Sequence, residues 1–460
     1  MQQFGTSRRP GHTKRRALQS LGGAGALATL AACGTPSTGA GAPKDAGGPP
    51  VDVVFMRPAN QAAADAYNAQ AAAFNQKQTR YKGRFEAPAL AQGETFETKL
   101  TTMIAGDSAP DVFLTGQEAM PQFASSGTLF NLDNHMKRDA KEVDVNDFFP
   151  SHLAGGKWLG KQMALTADGC ALLTYYNVTL FQQANVPTPK PTWTWNEYLD
   201  AARKTTIKDA NGAVTQAGAS PAPGNQFWLW LWSNGADLFS ADLKQVRITE
   251  PAAIEALQFI VDLTQRHGAT STSPGVSLGN NPEIAGKVAM WNQNRGFFGQ
   301  MQPVTSFIFN VMPFPRSPRT GGSTTVNVAG QLSIARNNKR PDAAWEWLKF
   351  LTSTDAQIIR STVQQGGCPS RKTATQHKSY TDGGVPALES TSANKTFADV
   401  LSDPKAARFI PQYIGMTEAT NIFSKHFGAA LKGDQALPAA MDAAKRELED
   451  LLRRQPQPTT

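Results

Sequence analysis

Cysteine is scarce in this chain, with only Cys33, Cys170 and Cys368 in 460 residues. So few exclude a disulfide-framework domain, and neither they nor the six histidines show metal-ligand spacing. His-Glu-x-x-His and Gly-x-Ser-x-Gly are missing too, which removes the zinc-peptidase and α/β-hydrolase signatures. Gly155-Gly156-Lys157-Trp158-Leu159-Gly160-Lys161 imitates the start of a phosphate-binding loop, but Gln162 stands where Ser or Thr must hold magnesium, so a hairpin turn is expected there. The apolar run from Ala17 to Ala32 is broken by Gly22, Gly23 and Gly25 and is shorter than the roughly 20 residues a membrane-spanning helix needs.

What that run does resemble is a secretory signal. Arg8, Arg9, Lys14, Arg15 and Arg16 precede it, and it stops at Leu30-Ala31-Ala32-Cys33-Gly34. Leu30 to Cys33 resembles the lipobox of bacterial lipoproteins, so residues 1–32 are expected to be a signal peptide and Cys33 the lipidated first residue of the mature protein. Lys14-Arg15-Arg16-Ala17-Leu18 also resembles a twin-arginine signal, with Gln19 where a second apolar residue is usual, and the export route stays open between the two.

Removing the leader takes five basic residues and lowers the formal net charge from +8 to +3. Without a clustered basic face, nucleic-acid binding loses its electrostatic footprint. Cys170 and Cys368 remain, and pairing and two buried free thiols both stay open. Residues 33–50, rich in Gly, Pro, Ala and Ser, form the tether. About 410 residues follow, a length that suggests two lobes.

The body alternates β and α. Val51 to Met56 predicts a buried strand, residues 61–78 an Ala-rich helix, residues 94–105 a second helix, and Asp111 to Leu114 a strand. Thr194 with Glu197 three residues later is a capping box. Thr249-Glu250-Pro251 opens another helix that Gly268 is placed to end, and Pro341 opens a third. Short strands are expected at 307–312 and 331–335. Together these read as α/β in more than one lobe.

Several segments then resemble the family 1 extracellular solute-binding proteins, the maltose-binding-protein-like group of ABC importers. They are Ala109-Pro110-Asp111-Val112-Phe113; Gly127-Thr128-Leu129 with Asn131-Leu132-Asp133; Leu173-Thr174-Tyr175-Tyr176-Asn177; and Ala184-Asn185-Val186-Pro187 before Thr192-Trp193-Thr194-Trp195. Later come Gly286-Lys287-Val288-Ala289-Met290, Met312-Pro313-Phe314-Pro315, residues 329–335, and Ala344-Trp345-Glu346-Trp347-Leu348. Each alone is weak, but their order spans nearly the whole mature chain. The resemblance implies a two-lobed periplasmic-binding-protein-like fold of type II, with a hinge crossed three times and a ligand cleft between the lobes. Residues 51–165 plus 307–366 would form lobe 1, and 170–306 plus 370–455 lobe 2, with crossings near 165–173, 307–312 and 366–370.

It also implies a function: an extracytoplasmic, lipid-anchored, monomeric protein that takes a sugar or oligosaccharide to an importer's membrane subunits, without cofactor, metal or catalysis. Peptide or polyamine binding, a glycoside-acting enzyme whose two carboxylates need not be sequence neighbours, and an adhesin are the alternatives. A sugar needs flat apolar faces and fixed hydrogen-bonding groups. Trp228, which alternates with Trp230 and Trp232, is the preferred stacking residue, with Trp291 and Asn292 from the loop after Gly286 to Met290. Arg57, Thr115 and Gln117 stand at strand ends of lobe 1. Asp168, Gln331 and Arg371 lie near crossings, and Tyr413 in a segment that closes over the ligand. Asp111 is expected to brace a strand end instead.

Overall fold

The computed structural model describes residues 49–221, 226–273, 275–276, 278–364 and 366–455, so the expected signal peptide and lipidated Cys33 lie outside the described residues. Val51–Met56 is the first strand and Gln61–Lys77 the first helix, capped by Asn60, whose side chain accepts from Ala63 N at 3.0 Å. Tyr81–Glu86 and Val112–Leu114 pair with Val51–Met56 on either side, both parallel, because each follows a helical crossover. Asp111 closes that strand end: it accepts from Val54 N at 2.9 Å and pairs with Arg340 at 3.1 Å.

The long strand Thr325–Ser333 completes the sheet of lobe 1. It lies antiparallel to Val112–Leu114 and to Leu165–Ala171, with a register shift between Gly330 and Gln331, and its start pairs with Ala407–Arg408. The expected strand at 331–335 is therefore longer and starts earlier. Lobe 2 has its own antiparallel sheet, Met290–Gln293, Leu173–Asn177 and Phe309–Met312 in that order.

These pairings move one expected crossing. Phe309–Met312 hydrogen-bonds to Leu173–Asn177 and so belongs to lobe 2, and the chain returns to lobe 1 along Thr325–Ser333 rather than at 307–312. The first passage falls where Leu165–Ala171 gives way to Leu173–Asn177. A third segment joins them, with Gly169 N donating to Cys368 O at 2.9 Å and Asp168 bridging to Pro369. Arg371, just beyond, still holds lobe 1, since its guanidinium donates to Val143 O at 2.7 Å.

Lobe 2 is packed around tryptophan. The residues 227–233 form a helix, not a strand, so Trp228, Trp230 and Trp232 splay around it, all buried. Trp230 meets Trp195, Tyr198, Phe259 and Phe314, and its Nε1 donates to Pro221 O at 2.9 Å. The Thr194 capping box forms as expected, with both reciprocal bonds present. Gly268, at φ +56°, follows the helix Pro251–Val261 and its last wide turn. Lys157–Trp158 and Lys161–Gln162 make a hairpin whose turn residues Leu159 and Gly160 both have positive φ, 46° and 77°. That geometry is a two-residue hairpin loop.

Candidate functional site

The three passages meet at a cavity of about 310 Å³. Arg57 and Arg360 enter it from lobe 1, Asn294 from lobe 2, and Asp168, Cys170 and Cys368 from the passages between them. Larger hollows of about 590, 1030 and 490 Å³ lie beside residues 242–246, beside Trp158 and beside residues 321–325, but none of them is lined by residues of all three passages. Concave sites at the junction of two lobes are where small solutes bind.

Charge is concentrated at the cavity floor. Asp168 Oδ2 pairs with Arg57 Nη1 at 3.3 Å and, more closely, with Arg360 Nη1. Both guanidiniums lie over the ring of Tyr67, at 5.4 and 5.1 Å from its centroid, so one aromatic ring supports two cations. Burial alone would push the Asp168 carboxyl up, yet Arg360 and Arg57 outweigh it and hold it below the usual carboxylate range. Asp168 is therefore an anion at neutral pH. Its other oxygen, Oδ1, has no hydrogen-bond partner. Oδ1 rests against Gly330, where a Cβ would stand 1.9 Å away, so only glycine lets the carboxylate occupy this position.

Below Asp168 the hinge is braced by His152. Its Nε2 faces Asn327 Oδ1 at 3.0 Å and its Nδ1 faces Ser370 O at 3.4 Å, so the ring touches the second and third passages at once. Gly169 makes room for it, since a Cβ there would fall 2.2 Å from Nε2. Burial pushes the imidazole down to about 4, against the pull of Asn327 and Ser370, and keeps it neutral.

Of the residues singled out from the sequence, the structure brings Arg57 and Asp168 together in the cavity. The others sit elsewhere. Trp228 is fully buried in the lobe 2 core, stacked on Phe227 and against Trp232. Trp291 stacks on Tyr175 at 5.5 Å, inside the sheet of lobe 2. Both are core residues because a helix and a central sheet pack against their faces. Asn292 is used internally, accepting from Thr174 and donating to Pro221 O. The Thr115 side chain donates to Gln331 O at 3.3 Å, and the Gln331 side chain donates in turn to Gly155 O at the end of the helix Pro150–Gly155, both buried. Arg371 braces lobe 1 through Val143 O and Thr352 O, with Phe148 beneath its guanidinium at 4.1 Å. Tyr413 packs edge-on to Phe239. Gln117 is half-buried after the Val112–Leu114 strand, outside the cavity wall.

Arg360, Asn294 and Cys368 were not anticipated. Arg360 carried a faint signal: it shares the buried face of the helix Thr354–Gln364 with Ala356, Gln357 and Ser361, an unusual place for a guanidinium without a purpose.

Known proteins share this architecture. The ABC substrate-binding protein of Listeria monocytogenes solved in complex with cycloalternan superposes with a TM-score of 0.75 at 21% identity, over 88% of this chain and 99% of that one. The diacetylchitobiose-binding protein of Streptomyces coelicolor is 22% identical over 93% of this chain and 96% of its own length. The sn-glycerol-3-phosphate-binding periplasmic protein of Brucella abortus is 22% identical over 81% of this chain and 86% of its own. The family model of the bacterial extracellular solute-binding proteins matches residues 45–358. With that match over most of its length, on a two-lobed frame whose passages enclose a charged cavity, the chain belongs to the bacterial extracellular solute-binding proteins.

Proposed function

We propose that this chain captures a sugar or oligosaccharide outside the cytoplasm and delivers it to the membrane subunits of an ABC importer, as a lipid-anchored monomer that makes and breaks no bond itself. The observation that carries the reading is Asp168, an anion of the cavity wall fixed between Arg57 and Arg360, whose Oδ1 has no hydrogen-bond partner within the chain. A carboxylate so placed accepts a hydrogen bond from a hydroxyl while each guanidinium donates to a neighbouring hydroxyl oxygen, a pattern suited to a polyol. Relatives that bind diacetylchitobiose and cycloalternan support it. The same cluster argues against polyamines, because two guanidiniums outnumber one carboxylate. That excess positive charge favours one second reading, a polyol phosphate, in keeping with the sn-glycerol-3-phosphate-binding relative.

Thermal melting across neutral sugars, polyol phosphates, peptides and polyamines tests this. A solute at about 100 times its dissociation constant adds about 2.7 kcal/mol of stability. Stabilisation by neutral sugars is expected, a response to polyol phosphates alone selects the second reading, and a response to peptides alone overturns both. The anchor is tested separately. Cys33→Ala should release the protein from the membrane fraction, because a diacylglyceryl group's two acyl chains anchor where a single chain binds only marginally.

A further inference from the structure

Cys170 and Cys368 reach the cavity from different passages of the chain. Cys170 lies in the strand Leu165–Ala171 and Cys368 in the third passage, and the two backbones are held together by the Gly169 N to Cys368 O bond at 2.9 Å and the Asp168–Pro369 bridge. Each thiol is close enough to shift the other's protonation, while Cys170 Sγ accepts from Arg295 N at 3.3 Å and Cys368 Sγ donates to Gly366 O at 3.7 Å. Both border the same cavity, Cys170 buried and Cys368 partly open to it. Nothing in the proposed capture of solute uses either sulfur.

We propose that Cys170 and Cys368 are a cross-linking site, joined in the exported protein by a disulfide that ties the first and third hinge passages together beside the solute cavity. A disulfide needs two sulfurs already adjacent on backbones that do not have to move, and the hinge supplies that. An extracytoplasmic location supplies the oxidising surroundings. The asymmetry of the pair sets the order of events. Burial would raise the Cys368 thiol, but its contact with Cys170 and the charge of Arg295 bring it below the usual value, whereas burial pushes Cys170 up. Cys368, as thiolate, attacks a sulfur of a disulfide oxidant, forming a mixed disulfide and expelling one thiolate. Cys170 then gives up its proton and attacks the Cys368 sulfur, expelling the second thiolate. Two electrons pass from the protein to the oxidant, which ends as two thiols carrying the two protons.

The test treats the full chain, first reduced, with excess oxidised glutathione, then denatures, alkylates and digests it for mass spectrometry. The expected product is one linked pair of peptides holding Cys170 and Cys368, lighter by two hydrogens than the free pair, with neither sulfur alkylated. In Cys170→Ser the glutathione adduct should persist on Cys368. Alkylation of both Cys170 and Cys368 in the wild type, or a glutathione adduct on either as its final product, would overturn the proposal. Melting provides the second readout. Oxidised wild type should melt above both its reduced form and Cys368→Ala, and equal melting of the oxidised and reduced forms would show that no tie between the passages exists.

Discussion

Lobe 2 and the hinge use their side chains in opposite ways. Lobe 2 turns its aromatic residues inward: Trp195, Trp228, Trp230 and Trp291 are all buried, and their rings contact one another and neighbouring Phe and Tyr. At the hinge floor charged groups line the cavity, and the ring of Tyr67 serves as a platform under Arg57 and Arg360. The lesson is that a tryptophan-rich segment marks where a lobe is held together, while the recognition proposed here rests on a charge cluster assembled from distant parts of the chain.

The sharpest way to break that comparison is to delete an aromatic side chain from lobe 2. Trp230→Ala should cost about 3–5 kcal/mol, as large-to-small changes of a buried tryptophan do, read by urea unfolding. A loss under about 1 kcal/mol would mean that the tryptophans are not what holds the lobe.

Acid should act next most strongly, and through the hinge. His152 titrates at about 4 when folded and near 6.5 when unfolded, so protonation favours the unfolded chain. Its contribution is complete above pH 6.5 and is lost as the pH falls toward 4, about 3 kcal/mol across the window. Urea midpoints measured at several pH values should fall over that range in the wild type and fall less in His152→Gln. Identical profiles would remove His152 from the hinge account.

Much of the frame was legible because it is local. The Thr194–Glu197 pair announces its own helix, Asp111 sits where a strand end must be braced, and Leu159-Gly160 can form a hairpin loop while Gln162 rules out a magnesium site. Arg57 and Asp168 were legible as strand-end and hinge residues. The tryptophans misled because alternation in Phe227 to Ser233 fits a strand with one wet face as well as a short helix with none, and burial on all sides is decided by what packs around it. The second crossing was misplaced because Phe309–Met312 and Thr325–Ser333 are both β-rich, and only strand pairing distinguishes them. Arg360 escaped because its meaning depends on Asp168 and Tyr67, brought beside it by folding.

The central claim is that the hinge cluster, not the tryptophans, recognises solute, and titration calorimetry on two variants with the solute found by the melting screen tests it most directly. Asp168→Asn removes the anion and keeps the shape; losing hydrogen bonds to a charged group, about 1.5–3 kcal/mol, should weaken binding roughly 10- to 100-fold. Trp228→Phe, in the core of lobe 2, should leave affinity unchanged while lowering stability. Unchanged affinity in Asp168→Asn together with lost binding in a folded Trp228→Phe would contradict the account.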